Sequence, residues 1–134
     1  MSKAHPTDAG FDLTARHPYT LKPGERHLVD TEIRVDIPVG HVGLLCSRSG
    51  LALRHGVIVL NSPGIIDSGY KGNVGAILYN AGDEDFNIIA GDRIAQLVVV
   101  PLSAWVPGLS SERGDGGFGS TGVAGTGVLP VINA

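Results

Sequence analysis

Chain-breakers set the limits of this fold. Twenty glycines and eight prolines are spread through 134 residues, so apolar runs are cut short before a helix of ordinary length can form. The pieces between them alternate or are briefly apolar, and turn residues recur roughly every 8–12 positions, the spacing of a sandwich or barrel. Phe11 to Ala15 reads as a strand and Lys22-Pro23-Gly24 as a turn. Glu32 to Ile37 alternates, with Ile33, Val35 and Ile37 on one face and Glu32, Arg34 and Asp36 on the other. Pro38-Val39-Gly40 turns the chain into a buried strand, Val42 to Cys46. Val57 to Leu60 and Val74 to Tyr79 flank Asn61 to Gly72, which reads as a hairpin. Phe86 to Ile89 and Ile94 to Val100 follow, divided by Ala90-Gly91-Asp92. Ser49 to His55 is the one helical element expected, so the fold class expected is all-β.

A chain of this length makes one domain with a real core. Hydrophobic residues are 43% and charged residues 17%, which suits a folded soluble protein rather than a disordered one. The net charge is −3 and no basic run offers a phosphate-tracking stripe, so no nucleic-acid partner is expected and any phosphate chemistry must be local. Cys46 is the single cysteine, which leaves no intrachain disulfide or thiolate cluster; within its apolar run it reads as a buried thiol. His5, His17, His27, His41 and His55 show no paired metal-ligand spacing and read as surface or strand-edge residues. There is no basic-then-apolar leader, and no apolar run approaches the ~18 residues of a membrane span. A cytoplasmic protein with no membrane partner is expected. From Ser110 to Gly127 the residues are mostly Ser, Gly and Thr, with Phe118 a large apolar exception. That is the composition of a flexible tail, and the division expected is a core over 1–110 and a Gly-rich arm over 111–134.

Five segments are polar or Gly-rich where a strand pattern does not require it. DAGFDL (Asp8 to Leu13) brackets a glycine with two acids: an Asp-Gly turn into a strand, or hard oxygen donors for Mg²⁺. SRSGLA (Ser47 to Ala52) sets Arg48, Ser49 and Gly50 at a helical turn, either an ordinary Gly turn or an anion cradle of fork donors, a hydroxyl and backbone N–H groups. NSPGIIDSGYKG (Asn61 to Gly72) reads either as a hairpin with an Asx-type turn at Asp67 and a partly buried Tyr70, or as a base-reading backbone. In the second reading Tyr70 is a floor under a sugar and Asp67 orients or deprotonates a water. GDRIAQL (Gly91 to Leu97) puts Gln96 inside an apolar strand, where an amide needs a partner. RGDGGFGSTG (Arg113 to Gly122) is a linker by composition, or a loop in which glycine lets the backbone approach phosphate.

Taken in order from Ala4 to Gly122, AHPTDAGFDLTA, SRSGLA, NSPGIIDSGYKG, GDRIAQL and RGDGGFGSTG resemble the five ordered motifs of the trimeric dUTPase family. The resemblance implies a distorted jelly-roll β-barrel with a flexible C-terminal arm, assembled as a homotrimer with shared active sites. It implies hydrolysis of dUTP to dUMP and pyrophosphate by Mg²⁺-assisted attack of water on the α-phosphate. Asp12 would hold Mg²⁺ through its water shell. Arg48, Ser49 and Gly50 would bind the phosphate chain, and Gln96 would contact it. Asn61 and the backbone from Gly64 to Ile66 would read uracil. Asp67 would position the attacking water as general base, and Tyr70 would stack on deoxyribose and exclude a 2′-hydroxyl. In the arm, Phe118 would stack on uracil while Arg113, Gly119, Ser120 and Thr121 close on the γ-phosphate end.

The sequence departs from the family pattern in places. Ser47 stands where proline is usual, Lys71 where arginine is usual, and Asn73 where an acid is common. The proline change is expected to loosen the phosphate loop. Members carry a strand before the first motif, which here begins near Ala4; Val128 to Ile132 reads as a short strand in its place. Among rival readings, a dCTP deaminase would need a glutamate near Ile77, and Val74 to Leu78 has no acid. A protein that captures a regulator on this scaffold, with nucleotide as the switch, remains open as a second role. A plain jelly-roll structural protein leaves the arm unexplained.

Overall fold

Alternate burial runs along the strand β7 (Asn73–Asn80), where Val74, Ala76, Leu78 and Asn80 face inward and the residues between them are only half-buried. The structure, a computed structural model, describes residues 1–104. Before β7 come β1 (Phe11–Thr14), β2 (Tyr19–Leu21), β3 (Arg26–Arg34), β4 (His41–Cys46), the helix α1 (Ser49–His55), β5 (Val57–Val59) and β6 (Gly64–Asp67). After it come β8 (Phe86–Ile88) and β9 (Arg93–Pro101). The sheets are β1-β9-β4-β6, β3-β7-β5 and the pair β2-β8, with every ladder antiparallel. The all-β expectation holds, and α1 covers the residues expected of it. Ladders between strands remote in sequence, β1 with β9 and β3 with β7, give the wrapped order of a distorted jelly roll. Its core is aliphatic, with Leu13, Leu21, Leu78, Ile88, Ile94 and Leu97 almost wholly buried. Asn80 joins them fully buried, and its amide is satisfied by Leu21 O (2.9 Å), Glu84 O (2.8 Å) and Gly82 N–H (2.9 Å).

Several expectations need correction. The alternation over Glu32 to Ile37 has the right facing, with Ile37 buried, but the ladder itself runs Arg26–Arg34. It bends where Glu32 takes a φ of 61°, and the register with β7 shifts between Asp30 and Arg34. Asn61 to Gly72 is not a hairpin paired with itself. Its strand, β6, leaves the β5–β7 ladder and pairs with β4 in the other sheet, because Gly64 and Ile66 bury against that sheet's core face. Cys46 is half-buried rather than buried, since it lies on the outer face of its sheet. Ser2 bridges Asp12 at the edge of β1, accepting Asp12 N–H at 2.7 Å. Val128 to Ile132 and the fifth motif lie outside the described residues.

The sheet β1-β9-β4-β6 carries the chemistry on its outer face. Directly opposed residues share a face. Asp12, Gln96 and Cys46 therefore form one outward row, Val98 and Leu44 with Ile65 the next, and Val100, Val42 and Asp67 the third. A register shift on β9 at Ile94 puts Ile94 and Ala95 both inward. That bulge returns Arg93 to the side of Asp12.

Candidate active site

Three of the five motif segments meet at one end of that face. A cavity of about 320 Å³ is lined by Ala4, Asp8, Gly10, Asp12, Arg48, Ser49, Gly50 and Gln96, among others. The volume is at the small end of ordinary ligand sites. Asp12 arrives on β1 and Gln96 beside it on β9. Arg48 arrives at the N-cap of α1, where an extended backbone (φ −101°, ψ 131°) sends the chain from β4 into the helix. No side chain caps α1, since a guanidinium has no acceptor to offer its N–H groups, and the Arg48 side chain lines the cavity. Its Nε donates to Asp12 Oδ1 at 3.3 Å and its Nη1 to Arg93 O at 3.2 Å. Arg93 Nη1 stands 4.0 Å from Asp12 Oδ2. Asp12 is thus flanked by two guanidinium groups with its side chain only 17% exposed, which makes the pairs stronger than open surface ion pairs. Gln96 donates from Nε2 to Ser47 O at 2.9 Å, the partner that an amide in an apolar strand was expected to need. Gly10 lets Gln96 lie close, because a Cβ there would make the Gln96 amide shift from its place.

The third segment stands elsewhere. Asp67 ends β6 with its side chain exposed, and Asn61 and Tyr70 are exposed as well. A turn closes when Tyr70 N–H donates to Asp67 O at 3.2 Å, with Gly69 supplying a φ of 94° that other residues rarely adopt. Tyr70 is fixed at its far end by Oη donating to Asn73 O at 2.9 Å. Asn61 packs over Gly64, where an added Cβ would lie 3.4 Å from its Nδ2. Gly64 and Ile66 are buried, so the backbone of β6 rather than their side chains is what this segment offers a ligand. Asn61, Gly64, Ile66, Asp67 and Tyr70 do not line the cavity. Asp12 and Asp67 are three strand spacings and four residues apart on the sheet, a separation of roughly 20 Å. Val42, Leu44, Ile65, Val98 and Val100 fill the face between them.

Arg113, Phe118, Gly119, Ser120 and Thr121 lie outside the described residues. Arg93 is a site residue that alternation conceals: it sits inside the GDRIAQL motif, but a strictly alternating strand turns it inward and only the bulge returns it. The loosening expected at Ser47 is not what the loop shows. Ser47 is instead tied down: its N–H donates to Ser62 Oγ (3.1 Å) and its Oγ accepts Val59 N–H (2.9 Å). Asn73 likewise finds a partner without being an acid, accepting from Arg34 Nε at 3.2 Å. Among the described residues no cluster of three or more His, Cys, Asp or Glu is arranged to hold a metal, and no helix is long and apolar enough to cross a membrane.

Comparison with known proteins bears on the whole of this arrangement. The dUTPase family model matches residues 1–122. A protein of Cutibacterium acnes named deoxyuridine 5'-triphosphate nucleotidohydrolase is 52% identical over 127 residues, covering 90% of this chain and 84% of that protein. One of the same name from an Anaeromyxobacter species is 56% identical over 119 residues, covering 85% of this chain and 81% of its own. Among solved structures, the dUTPase of Streptococcus mutans aligns with a TM-score of 0.74 at 28% identity, covering 80% of this chain and 88% of that one. A mutant dUTPase from phage phi11 of S. aureus, whose structure concerns the coordination of a structural Mg(II) ion, aligns equally well (TM-score 0.74, 31% identity, 84% and 88% covered). Motif order, fold and the convergence of three motif segments on one cavity agree with those matches, and the chain belongs to the dUTPase family.

Proposed function

We propose that this chain hydrolyses dUTP to dUMP and pyrophosphate, the activity its relatives are named for. The observation that carries the reading is the division of one sheet face: a cavity offering guanidinium, hydroxyl and amide donors at one end, and the carboxylate of Asp67 with Tyr70 three residues on at the other. The cavity suits a triphosphate. Arg48 offers a planar fork of donors, Ser49 a hydroxyl and Gln96 an amide. With no nucleotide bound, Arg48 is neutralised by Asp12. A phosphate that takes Arg48 frees the Asp12 carboxylate, so one event fills the anion site and opens an oxygen donor.

Asp12, with Asp8 on the same wall, is a hard donor set of the kind Mg²⁺ prefers. It is too small to hold a bare ion, which fits an ion bound through waters and phosphate oxygens. Mg²⁺, when bound, would neutralise charge on the phosphate chain. Asp67 is exposed and able to take a proton from the attacking water as general base. Tyr70, held at both its backbone and its hydroxyl, presents a fixed ring to a sugar. Asn61 and the β6 backbone would read uracil, and residues 111–134 would act as an arm closing Arg113, Phe118, Gly119, Ser120 and Thr121 over the nucleotide.

A separation of roughly 20 Å keeps one chain's Asp67 from acting on a phosphate in its own cavity. Copies packed through the apolar face of Val42, Leu44, Ile65, Val98 and Val100 would bring one copy's Asp67 to another's cavity, and a homotrimer with shared sites satisfies this for every copy. The test is incubation of the purified chain with each dNTP, with and without Mg²⁺, following pyrophosphate release. Turnover of dUTP alone, dependent on Mg²⁺, is expected. Ammonia release from dCTP would replace the reading with a deaminase, and tight dUTP binding without turnover would replace it with a nucleotide-switched binding protein.

A further inference from the structure

Ser47 joins β4 to α1, immediately before Arg48, and each of its polar groups is committed. Its N–H donates to Ser62 Oγ at 3.1 Å, its Oγ accepts Val59 N–H at 2.9 Å, and its C=O accepts Gln96 Nε2–H at 2.9 Å. The first two bonds anchor it to the end of β5 and to the segment that follows. The third reaches across to β9. One residue therefore ties together the second, third and fourth motif segments.

We infer that Ser47 is a positioning residue for the triphosphate cavity, acting through Gln96 and Arg48 and itself held by Ser62. The inference rests on the reading that this cavity takes the phosphates of dUTP. A carbonyl only accepts, so Ser47 O fixes which end of the Gln96 amide faces it. Nε2 is turned to Ser47, Oε1 lies against Gly10, and one amide hydrogen is left for a ligand. The same carbonyl belongs to the peptide plane that enters Arg48, so holding it also sets where the guanidinium starts. Ser62 Oγ is the remote end of this arrangement. Ser62 is not among the residues that line the cavity, yet loss of its hydroxyl releases the Ser47 N–H.

Ser47→Ala, Ser62→Ala and Ser62→Thr test this in the full chain. Losing one such bond is expected to raise KM for dUTP about 3- to 10-fold in each alanine variant, with kcat within about 2-fold of wild type. Binding of deoxyuridine, which lacks phosphates, should stay unchanged. Ser62→Thr keeps the accepting hydroxyl and should restore wild-type KM. If Ser47→Ala does not fold, Ser62→Ala carries the test, since it leaves Ser47 in place. A folded Ser62→Ala with wild-type KM overturns the inference, as does equal weakening of deoxyuridine and dUTP, or a threonine variant that behaves like alanine. In those cases wild-type turnover of dUTP leaves the functional reading standing. A wild-type protein that neither hydrolyses nor binds dUTP overturns both.

Discussion

The two polar ends of the β1-β9-β4-β6 face are built on opposite principles. At one end Asp12, Arg48, Arg93, Gln96 and Ser47 satisfy one another, and the Asp12 side chain is 17% exposed. At the other, Asp67 and Tyr70 stand out in solvent, with Tyr70 47% exposed and tied by its backbone N–H and its hydroxyl. A closed network holds charged groups in place at little cost while no ligand is present, since none is buried without a partner. An open pair of groups costs nothing to display but does nothing until a second surface meets it. The difference is that the polar groups around Asp12 are partnered within the described residues of one chain, whereas Asp67 and Tyr70 face outward, the arrangement that the proposed shared site requires.

The sharpest way to break that comparison is Asp67→Asn. The amide has the size of the carboxylate but cannot take a proton, so turnover of dUTP should fall ~10²–10⁴-fold while binding of a non-hydrolysable analogue changes little. Because the cavity at the far end is self-contained, the variant should fold like wild type. Near-normal turnover would remove Asp67 from the chemistry and leave the exposed end without a purpose.

Mixing subunits asks whether the two ends serve one another across copies. One inactive chain carries Asp67→Asn with an intact cavity; the second keeps Asp67 but carries Arg48→Ala. In a ring of three that contains both kinds, one junction sets a good Asp67 against a good cavity. Equal amounts, unfolded and refolded together, give roughly three quarters mixed rings, so recovered activity should be about a quarter of wild type. If Asp67 served its own chain's cavity, mixing would restore nothing.

A smaller effect is expected from Tyr70→Ala. Its ring is held by the Asp67–Tyr70 turn and by Asn73 O, and on the proposed reading it would be the wall that a 2′-hydroxyl strikes. Removing it should narrow the preference for dUTP over UTP by roughly 10-fold. The ratio of kcat/KM values measures this, and an unchanged ratio in a folded variant would move sugar selection to another residue.

Much of this contrast is legible in the amino-acid sequence alone. Apart from β6, the strands from β4 to β9 follow apolar runs set off by turn residues, and α1 sits where the alternation lapses. The candidate residues of both ends stand in the five motif segments. What escapes the sequence is whatever depends on a break in alternation or on partners far apart. The first half of β3 carries no strand signal because Leu28 points outward, 63% exposed, while Thr31 is buried with its hydroxyl donating to Val74 O at 2.6 Å. Arg93 is concealed because a bulge, which leaves no residue signature here, reverses its direction. The Ser47–Ser62 and Ser47–Gln96 bonds join segments 15 and 49 residues apart, and serine is too common for either to be read from composition.

The smallest effect is a control at a position that touches neither end directly, although Asp30 and Asn73 link it to the Tyr70 hydroxyl. Glu32 has a φ of 61°, the left-handed region that a side chain adopts at a cost, and among the described residues it is the one non-glycine there. Two contacts hold it: its N–H donates to Asp30 Oδ1 at 2.9 Å, and its carboxylate lies 3.4 Å from Arg16 Nε. That N–H, ahead of Arg16 and Asn73, is also what holds the Asp30 carboxyl below its ordinary pKa. Glu32→Gly keeps the N–H and removes the strained Cβ, at the loss of an exposed ion pair whose cation still has Asp30. Relief of the backbone should exceed that loss, giving a net gain of up to about 1 kcal/mol. Glu32→Ala keeps the strain and loses the pair, so it should be less stable than wild type. Denaturant midpoints of the two variants should therefore move in opposite directions while kcat and KM for dUTP stay put. If both lose stability, Glu32 is held by its contacts rather than strained against them. If turnover follows stability, the two ends of the sheet face are less independent of the rest of the fold than their geometry implies.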